Sequence, residues 1–178
     1  MIQASELRKY FDLAYAAHQN HAKEVDKEYR QRDSNGKKQG PFVTHTWWCA
    51  LMMMNDSRLP RDVRELGYKV LLLHDVLEDT NLPLPDFVEP SVVELVKQMT
   101  FETWEEEKIA VRKGSLMLKL LKLFDKVATM YDEAIRPDPI KRKEWKELVI
   151  DLVRDVEKIY PDARIIVVAK AILPTVDW

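Results

Sequence analysis

The sequence contains one cysteine and four glycines, and its charges nearly cancel. Cys49 has no second cysteine for a disulfide within the chain, and the first residues lack the apolar core of a signal peptide. The 28 basic side chains against 30 acidic ones give a formal charge of −2, so no field over the whole surface would attract nucleic acid or an anionic membrane. These features predict a cytoplasmic protein without a strong nucleic-acid signal.

Long hydrophobic runs and several familiar catalytic motifs are also missing. The uncharged apolar runs, such as residues 70–73, fall far short of the roughly 20 residues that cross a bilayer, so we expect no membrane span. The sequence has no glycine-rich phosphate loop, no CxxC pair and no Ser/His/Asp order. Any catalytic chemistry must therefore come from side chains outside these motifs.

The remaining composition favours a single helical domain. A chain of 178 residues with 46% hydrophobic side chains can bury one core, and the apolar residues recur at helical spacing. We predict one compact all-α bundle over residues 1–178, with an exposed charged loop at 23–40. The predicted helices begin at a Ser5 cap and continue at 42–55, 62–77, 90–98, 116–134, 139–160 and 164–168.

Four titratable side chains stand together at the end of an apolar helical segment. His74 and Glu78 are one helical turn apart, as are Asp75 and Asp79, so all four could line one cavity. An isolated ionised carboxylate in a protein interior costs several kcal/mol, and a bound cation commonly offsets that cost. The segment therefore favours a metal site.

Two more residues extend this candidate site. Asp125 lies on a helical stripe that should face the core, and His45 lies near the start of the second predicted helix. Two imidazoles, from His45 and His74, and two carboxylates, from Asp75 and Asp125, suit Mn²⁺, Fe²⁺, Co²⁺, Ni²⁺ or Zn²⁺ better than Ca²⁺ or Mg²⁺.

Ordinary structural interpretations compete with the metal site. His45 could be a core or surface histidine beside two tryptophans, and Asp125 could form a buried ion pair with a neighbouring lysine or interact with an N-cap partner. Cys49 has no evident base partner, which favours a small core residue.

The order of these residues resembles the HD family of metal-dependent phosphohydrolases, and within it the RelA/SpoT-type alarmone hydrolases and their small single-domain relatives. That branch has Ala-His, then Pro-Tyr-x-x-His, then Leu-Leu-His-Asp-x-x-Glu-Asp-Thr, then Lys-Leu-Ala-Asp-[Arg/Lys]. The likeness covers about residues 7–155 and rests on Ala17–His18, Pro41–His45, Leu72–Thr80 and Lys122–Lys126, with a weaker match over Val92–Thr100.

The resemblance implies an HD-domain bundle with one divalent ion, Mn²⁺ being favoured and Zn²⁺, Fe²⁺, Co²⁺ or Ni²⁺ being alternatives. The implied metal ligands are His45, His74, Asp75 and Asp125. Glu78 and Asp79 would be the catalytic acidic pair that positions or deprotonates the attacking water. The candidate substrate-binding residues are His18, Lys23, Lys122, Lys126 and Thr129, and a solvated charged face is the alternative for the lysines.

The chain departs from the family pattern at positions expected to determine substrate specificity. Thr129 stands where the relatives usually have Asn, and Phe42 replaces the Tyr of Pro-Tyr. Arg30 and Arg32 in the 23–40 loop are further candidates for phosphate or base contacts.

The resemblance favours a small-molecule nucleotide as the partner and a (p)ppGpp-type 3′-pyrophosphohydrolase as the function. The alternatives are an HD-family deoxynucleotide 5′-nucleotidase or dNTP triphosphohydrolase and a non-catalytic helical module that binds a metal. The sequence makes no prediction of the oligomeric state.

Overall fold

The computed structural model describes residues 3–23, 40–131 and 139–174. Within these ranges every regular element is a helix, and an isolated bridge joins Ala22 to Thr80. This confirms the all-α prediction. The nine helices of the described ranges are α1 Ala4–Asn20, α2 Val43–Met54, α3 Arg61–Leu73, α4 Val76–Asp79, α5 Pro90–Met99, α6 Trp104–Lys113, α7 Leu116–Tyr131, α8 Pro139–Glu157 and α9 Arg164–Ile172.

Helix α7 lies at the centre of the bundle. It packs against α2, α3, α5, α6, α8 and α9, and every residue from Leu120 to Met130 is buried. A helix that is buried all round normally carries apolar side chains only. The charged residues in the middle of α7 are therefore inside the protein, which is where a metal or substrate site needs them.

The third helix ends four residues earlier than predicted. His74 and Asp75 form a turn between α3 and the short helix α4, so the predicted continuous helix 62–77 is wrong. The ring Nδ1 of His74 lies 2.8 Å from the carbonyl oxygen of Leu71. That carbonyl would otherwise accept the amide of Asp75 in a continuous helix, so the His74 side chain competes with the backbone at the break.

Two other helix starts differ from the prediction. The Ser5 cap is wrong, because α1 begins at Ala4 with Gln3 as its N-cap and without a side-chain cap bond. Helix α6 was not predicted at all, since its first turn is crowded with glutamates. A capping box would have revealed it: the Thr103 side chain accepts from the amide of Glu106, which is the third residue of the helix.

The carboxyl-terminal helix is confirmed and is tied to the α2–α3 turn. The amides of Arg164 and Ile165 donate to the buried carboxylate of Asp56, at 2.7 Å and 3.4 Å, which caps the start of α9. None of the helices in the described ranges is both long and apolar enough to cross a membrane. Most of the predicted 23–40 loop, with Arg30 and Arg32, and the predicted helix end at 132–134 lie outside the described residues.

Candidate metal centre

Three helices bring two histidines and an aspartate together. His45 comes from the first turn of α2, His74 from the turn after α3 and Asp125 from the middle of α7. His45 Nε2 lies 3.2 Å and His74 Nε2 lies 3.8 Å from the same carboxylate oxygen, Asp125 Oδ1. One nitrogen or oxygen atom from each residue lies within 4.8 Å of the other two, and all three residues are buried.

Asp75 adjoins this cluster through His74, since its Oδ1 lies 3.1 Å from His74 Nε2. The distances from Asp75 Oδ1 to His74 Nε2 and from Asp125 Oδ1 to His45 Nε2, 3.1 Å and 3.2 Å, are hydrogen-bonding distances, so these side chains are in direct contact without a metal ion. Three of the four residues predicted as ligands, His45, His74 and Asp125, therefore form one cluster, and the fourth, Asp75, contacts it through His74.

The tautomer that the neutral His74 ring would adopt suits a metal ligand. Because its Nδ1 faces the Leu71 carbonyl, the proton of the neutral ring belongs on Nδ1 and leaves Nε2 with its lone pair free for a metal ion. Nε2 is buried, and its charged neighbours are Asp75 Oδ1 at 3.1 Å and Asp125 Oδ1 at 3.8 Å. A ring nitrogen beside two carboxylate oxygens is a donor set that suits a divalent ion, so the residues present fit a bound cation.

Without a metal, His74 and Asp75 hold protons strongly. Burial alone would lower the pKa of His74, but the negative charges of Asp75 and Asp125 raise it to about 9. Burial raises the pKa of Asp75 to about 7, although the His74 charge acts in the opposite direction. A metal ion must therefore displace protons when it binds.

The two oxygens of Asp125 have different neighbours. Oδ1 faces the histidines, whereas Oδ2 lies 3.2 Å from Lys122 Nζ and 3.3 Å from Lys126 Nζ. Burial alone would raise the pKa of Asp125, but the two lysines and the two histidines hold it well below its usual value. The ion-pair interpretation of Asp125 is thus confirmed for Oδ2, whereas Oδ1 faces the histidines and its role as a metal ligand stays a prediction.

A cavity of about 220 Å³ opens onto this cluster. Asp79 in its wall is buried, whereas Glu78 is exposed when the whole residue is considered. The surrounding protein still removes part of the water from the Glu78 carboxyl group, and this desolvation raises its pKa. His74 is only 1% exposed. The residues that line the cavity are Phe42, His45, Asp75, Glu78, Asp79, Glu107, Lys122, Asp125, Lys126, Thr129 and Trp145.

The two lysines of the cavity are buried, so their interpretation as a solvated charged face is wrong. Lys122 and Lys126 are 3% and 8% exposed, and their ammonium groups lie over the aromatic rings of Phe101 and Trp104 respectively. Both also contact Glu107 of α6. Sequence reasoning missed Glu107 because nothing in a run of three glutamates marks the one that turns inward.

Lys23 lies outside this cavity and belongs to a larger one beside it. Its Nζ donates to the carbonyl oxygens of Leu77 and Glu78, at 3.0 Å and 2.8 Å, and so holds the end of α4. The larger cavity has a volume of about 710 Å³ and shares Glu78 and Asp79 with the first. Its lining residues are Lys23, Leu77, Glu78, Asp79, Lys97, Thr100, Phe101 and Glu102.

The remaining predicted substrate-binding residues, Thr129 and His18, lie in the wall of the smaller cavity and directly behind that wall. His18 is fully buried, with its ring centroid 4.8 Å from that of Phe42, which in turn lines the smaller cavity. The Thr129 hydroxyl donates to the backbone carbonyl of Asp125 at 3.0 Å. Cys49 is buried as expected, and its Sγ lies 4.0 Å from His45 Nε2.

Comparisons with known proteins support the fold. A scan against protein-family models and a search of curated proteins found no match, but nine chains of solved structures match. One is described as a metazoan ortholog of SpoT that hydrolyzes ppGpp and plays a role in starvation responses. It superimposes with a TM-score of 0.72 and 18% identity, over 98% of this chain and 97% of that chain. The chain therefore has the helical fold of that ppGpp hydrolase over almost its whole length.

Proposed function

We propose that this protein is a metal-dependent nucleotide phosphohydrolase, and that its substrate is a (p)ppGpp-type alarmone from which it removes the 3′-pyrophosphate. The observation that carries the proposal is the buried cluster of His45, His74 and Asp125, which Asp75 contacts through His74, beside a cavity lined by further acidic and basic groups. The fold shared with a solved ppGpp hydrolase supports it. The proposal also takes residues 1–178 as one domain in a reducing, cytoplasmic setting.

One divalent ion, Mn²⁺ by preference, would be held by His45, His74, Asp75 and Asp125. When bound, it would supply positive charge against a phosphoryl group and make a water molecule more acidic. The chemistry of this donor set, two nitrogens and two carboxylates, equally accepts Zn²⁺, Fe²⁺, Co²⁺ or Ni²⁺.

Glu78 and Asp79 act as the acid–base pair in this proposal. The carboxylate of Glu78 reaches solvent at the junction of the two cavities, and its raised pKa makes it a better proton acceptor than an ordinary glutamate. Asp79 is buried in the same wall, and its amide donates to the carbonyl of Asp75 at 2.8 Å. That hydrogen bond fixes the position of Glu78 and Asp79 relative to the proposed ligand Asp75.

In this proposal, each of the two cavities binds a different part of the substrate. The cavity of about 220 Å³ has room for phosphate groups near Lys122 and Lys126, whose ammonium groups favour phosphate oxygens. The cavity of about 710 Å³ is within the range of about 300–1,000 Å³ that is usual for small-molecule sites. With Lys97 and Phe101 in its wall, it would receive the rest of the nucleotide.

A deoxynucleotide substrate is the second candidate, because both departures from the alarmone pattern, Phe42 and Thr129, line the smaller cavity. Incubation of the purified full chain with Mn²⁺ and ppGpp, dNTPs or dNMPs distinguishes the two. Release of pyrophosphate from ppGpp alone supports the first proposal, and turnover of deoxynucleotides alone refutes it. Metal binding without turnover of any of them would favour a non-catalytic module.

The role of Glu78 is tested by Glu78→Gln, which keeps the size of the side chain but removes its basic group. We expect kcat to fall by about 10²- to 10⁴-fold, while Mn²⁺ binding is retained because Glu78 is not among the proposed ligands. Glu94→Gln, an exposed residue of α5, is the matched control and should keep full activity. Wild-type kcat in Glu78→Gln would remove this residue from the mechanism.

A further inference from the structure

Four charged side chains of α6 and α7 form a buried cluster beside the candidate metal centre. Glu107 Oε1 lies 2.9 Å from Lys122 Nζ and 2.7 Å from Lys126 Nζ. The same two ammonium groups reach Asp125 Oδ2 at 3.2 Å and 3.3 Å. The lysines are thus held between two carboxylates, and one of these, Asp125, also faces the histidines through Oδ1.

The lysines compete with a metal ion for the Asp125 carboxylate. Their side chains are only 4% and 10% exposed, so water screens their charges weakly. An ammonium group attracts the negative charge of a carboxylate toward itself and repels a cation on the opposite oxygen. Two such groups beside one ligand would weaken metal binding unless another negative charge offsets them.

We propose that Glu107 is a positioning residue that keeps Asp125 available to the metal ion by balancing the charges of Lys122 and Lys126. This inference rests on the metal site of the proposed function. Glu107 is suited to the role because one oxygen, Oε1, bridges both ammonium groups, and because its side chain is only 11% exposed. Groups behind a metal ligand commonly set the affinity of the site in this way.

The position on α6 determines which glutamate can reach the lysines. Glu105 is 71% exposed and pairs with Lys108 on the surface of the same helix. Glu106 is exposed and takes part in the capping box. Glu107, the next residue, points inward, so the helix provides both the acting residue and a control of the same chemical type.

The experiment is calorimetric titration of the metal-free full chain with Mn²⁺. Glu107→Gln keeps the size and an oxygen acceptor but removes the charge, and we expect the Kd for Mn²⁺ to rise by about 10- to 100-fold. Lys126→Gln removes one competing charge and should lower the Kd, which a general loss of packing would not do. Glu105→Gln is the matched control and should leave the Kd unchanged.

The double variant Glu107→Gln/Lys126→Gln should bind Mn²⁺ more tightly than Glu107→Gln, because it restores the balance of charge. An unchanged Kd in Glu107→Gln, or a raised Kd in Lys126→Gln, overturns the inference. If circular dichroism shows that Glu107→Gln is unfolded, Lys126→Gln carries the test. Failure of the wild-type chain to bind Mn²⁺ would instead refute the metal site of the proposed function, so the two failures are distinguishable.

Discussion

Manganese binding should depend steeply on pH, because His74 and Asp75 must lose protons before they can act as ligands. In the metal-free protein this pair titrates with pKa values of about 7 and about 9. A metal ion that displaces one proton gains about tenfold in apparent affinity for each pH unit, which is about 1.4 kcal/mol. Between about pH 7 and pH 9 we therefore expect the Kd to fall about tenfold per unit, and below about pH 7, where two protons must leave, to change more steeply.

The expected slope distinguishes this site from an ordinary histidine site. A solvent-exposed histidine has a pKa of about 6.5, so metal binding to it would stop improving above about pH 7. The charges of Asp75 and Asp125 hold the proton on His74 and raise its pKa to about 9. Because the higher pKa lets protons compete with the metal ion up to a higher pH, the affinity for Mn²⁺ should still be increasing at about pH 8.

Calorimetric titration with Mn²⁺ in two buffers of equal pH but different ionisation enthalpy measures both the Kd and the number of protons released. The difference between the two heats should correspond to about one proton released per metal ion at about pH 8. His21→Gln, at the exposed C-cap of α1, is the control for binding at a surface histidine. A Kd that is flat above about pH 7, or binding without proton release, would refute the reasoning.

Three other experiments test separate parts of the structure. Asp56→Ala should lower the free energy of unfolding by about 1–3 kcal/mol, because a buried carboxylate that caps α9 is lost. Urea denaturation measures this loss of stability. A denaturation midpoint equal to that of the exposed control Asp86→Ala would contradict the prediction. Lys23→Met should lower kcat about tenfold or more, because the ammonium group of Lys23 holds the end of α4 in the wild-type protein. Unchanged steady-state kinetics would show that this contact does not position Glu78 and Asp79. Cys49, which is fully buried, should react with a thiol reagent only after unfolding, and rapid reaction of the native protein would rule out the described packing.

The candidate ligands were visible in the sequence because each of them interrupts an apolar pattern. Asp125 falls on a buried stripe of α7, and His74 and Asp75 follow the apolar run of α3. Helical periodicity is a local property, so it shows which side chain faces inward without any knowledge of the partner helix. Their chemistry as metal donors then grouped residues that are up to 80 positions apart, such as His45 and Asp125, and the resemblance to a family supported that grouping.

Side-chain and backbone contacts decided what the local pattern could not. At the break after α3 the His74 ring contacts the Leu71 carbonyl, whereas sequence spacing alone predicts an unbroken helix there. Helix α6 begins with three glutamates in its first turn, and its capping residues, Thr103 and Glu106, are the local signal that identifies it. The loop of residues 23–40 remains a prediction for its undescribed part.

The sequence by itself determined an all-α protein with one cysteine and nearly balanced charge, and it identified the polar residues that stand where core residues belong. Only the tertiary structure decided that Lys122 and Lys126 are buried, that Glu107 bridges them, and that each oxygen of Asp125 has its own neighbours. The physical reason is range. Burial on one helix face follows from a period of about 3.6 residues, whereas the neighbour of a buried charge depends on how separate helices pack, and no spacing along the chain encodes that.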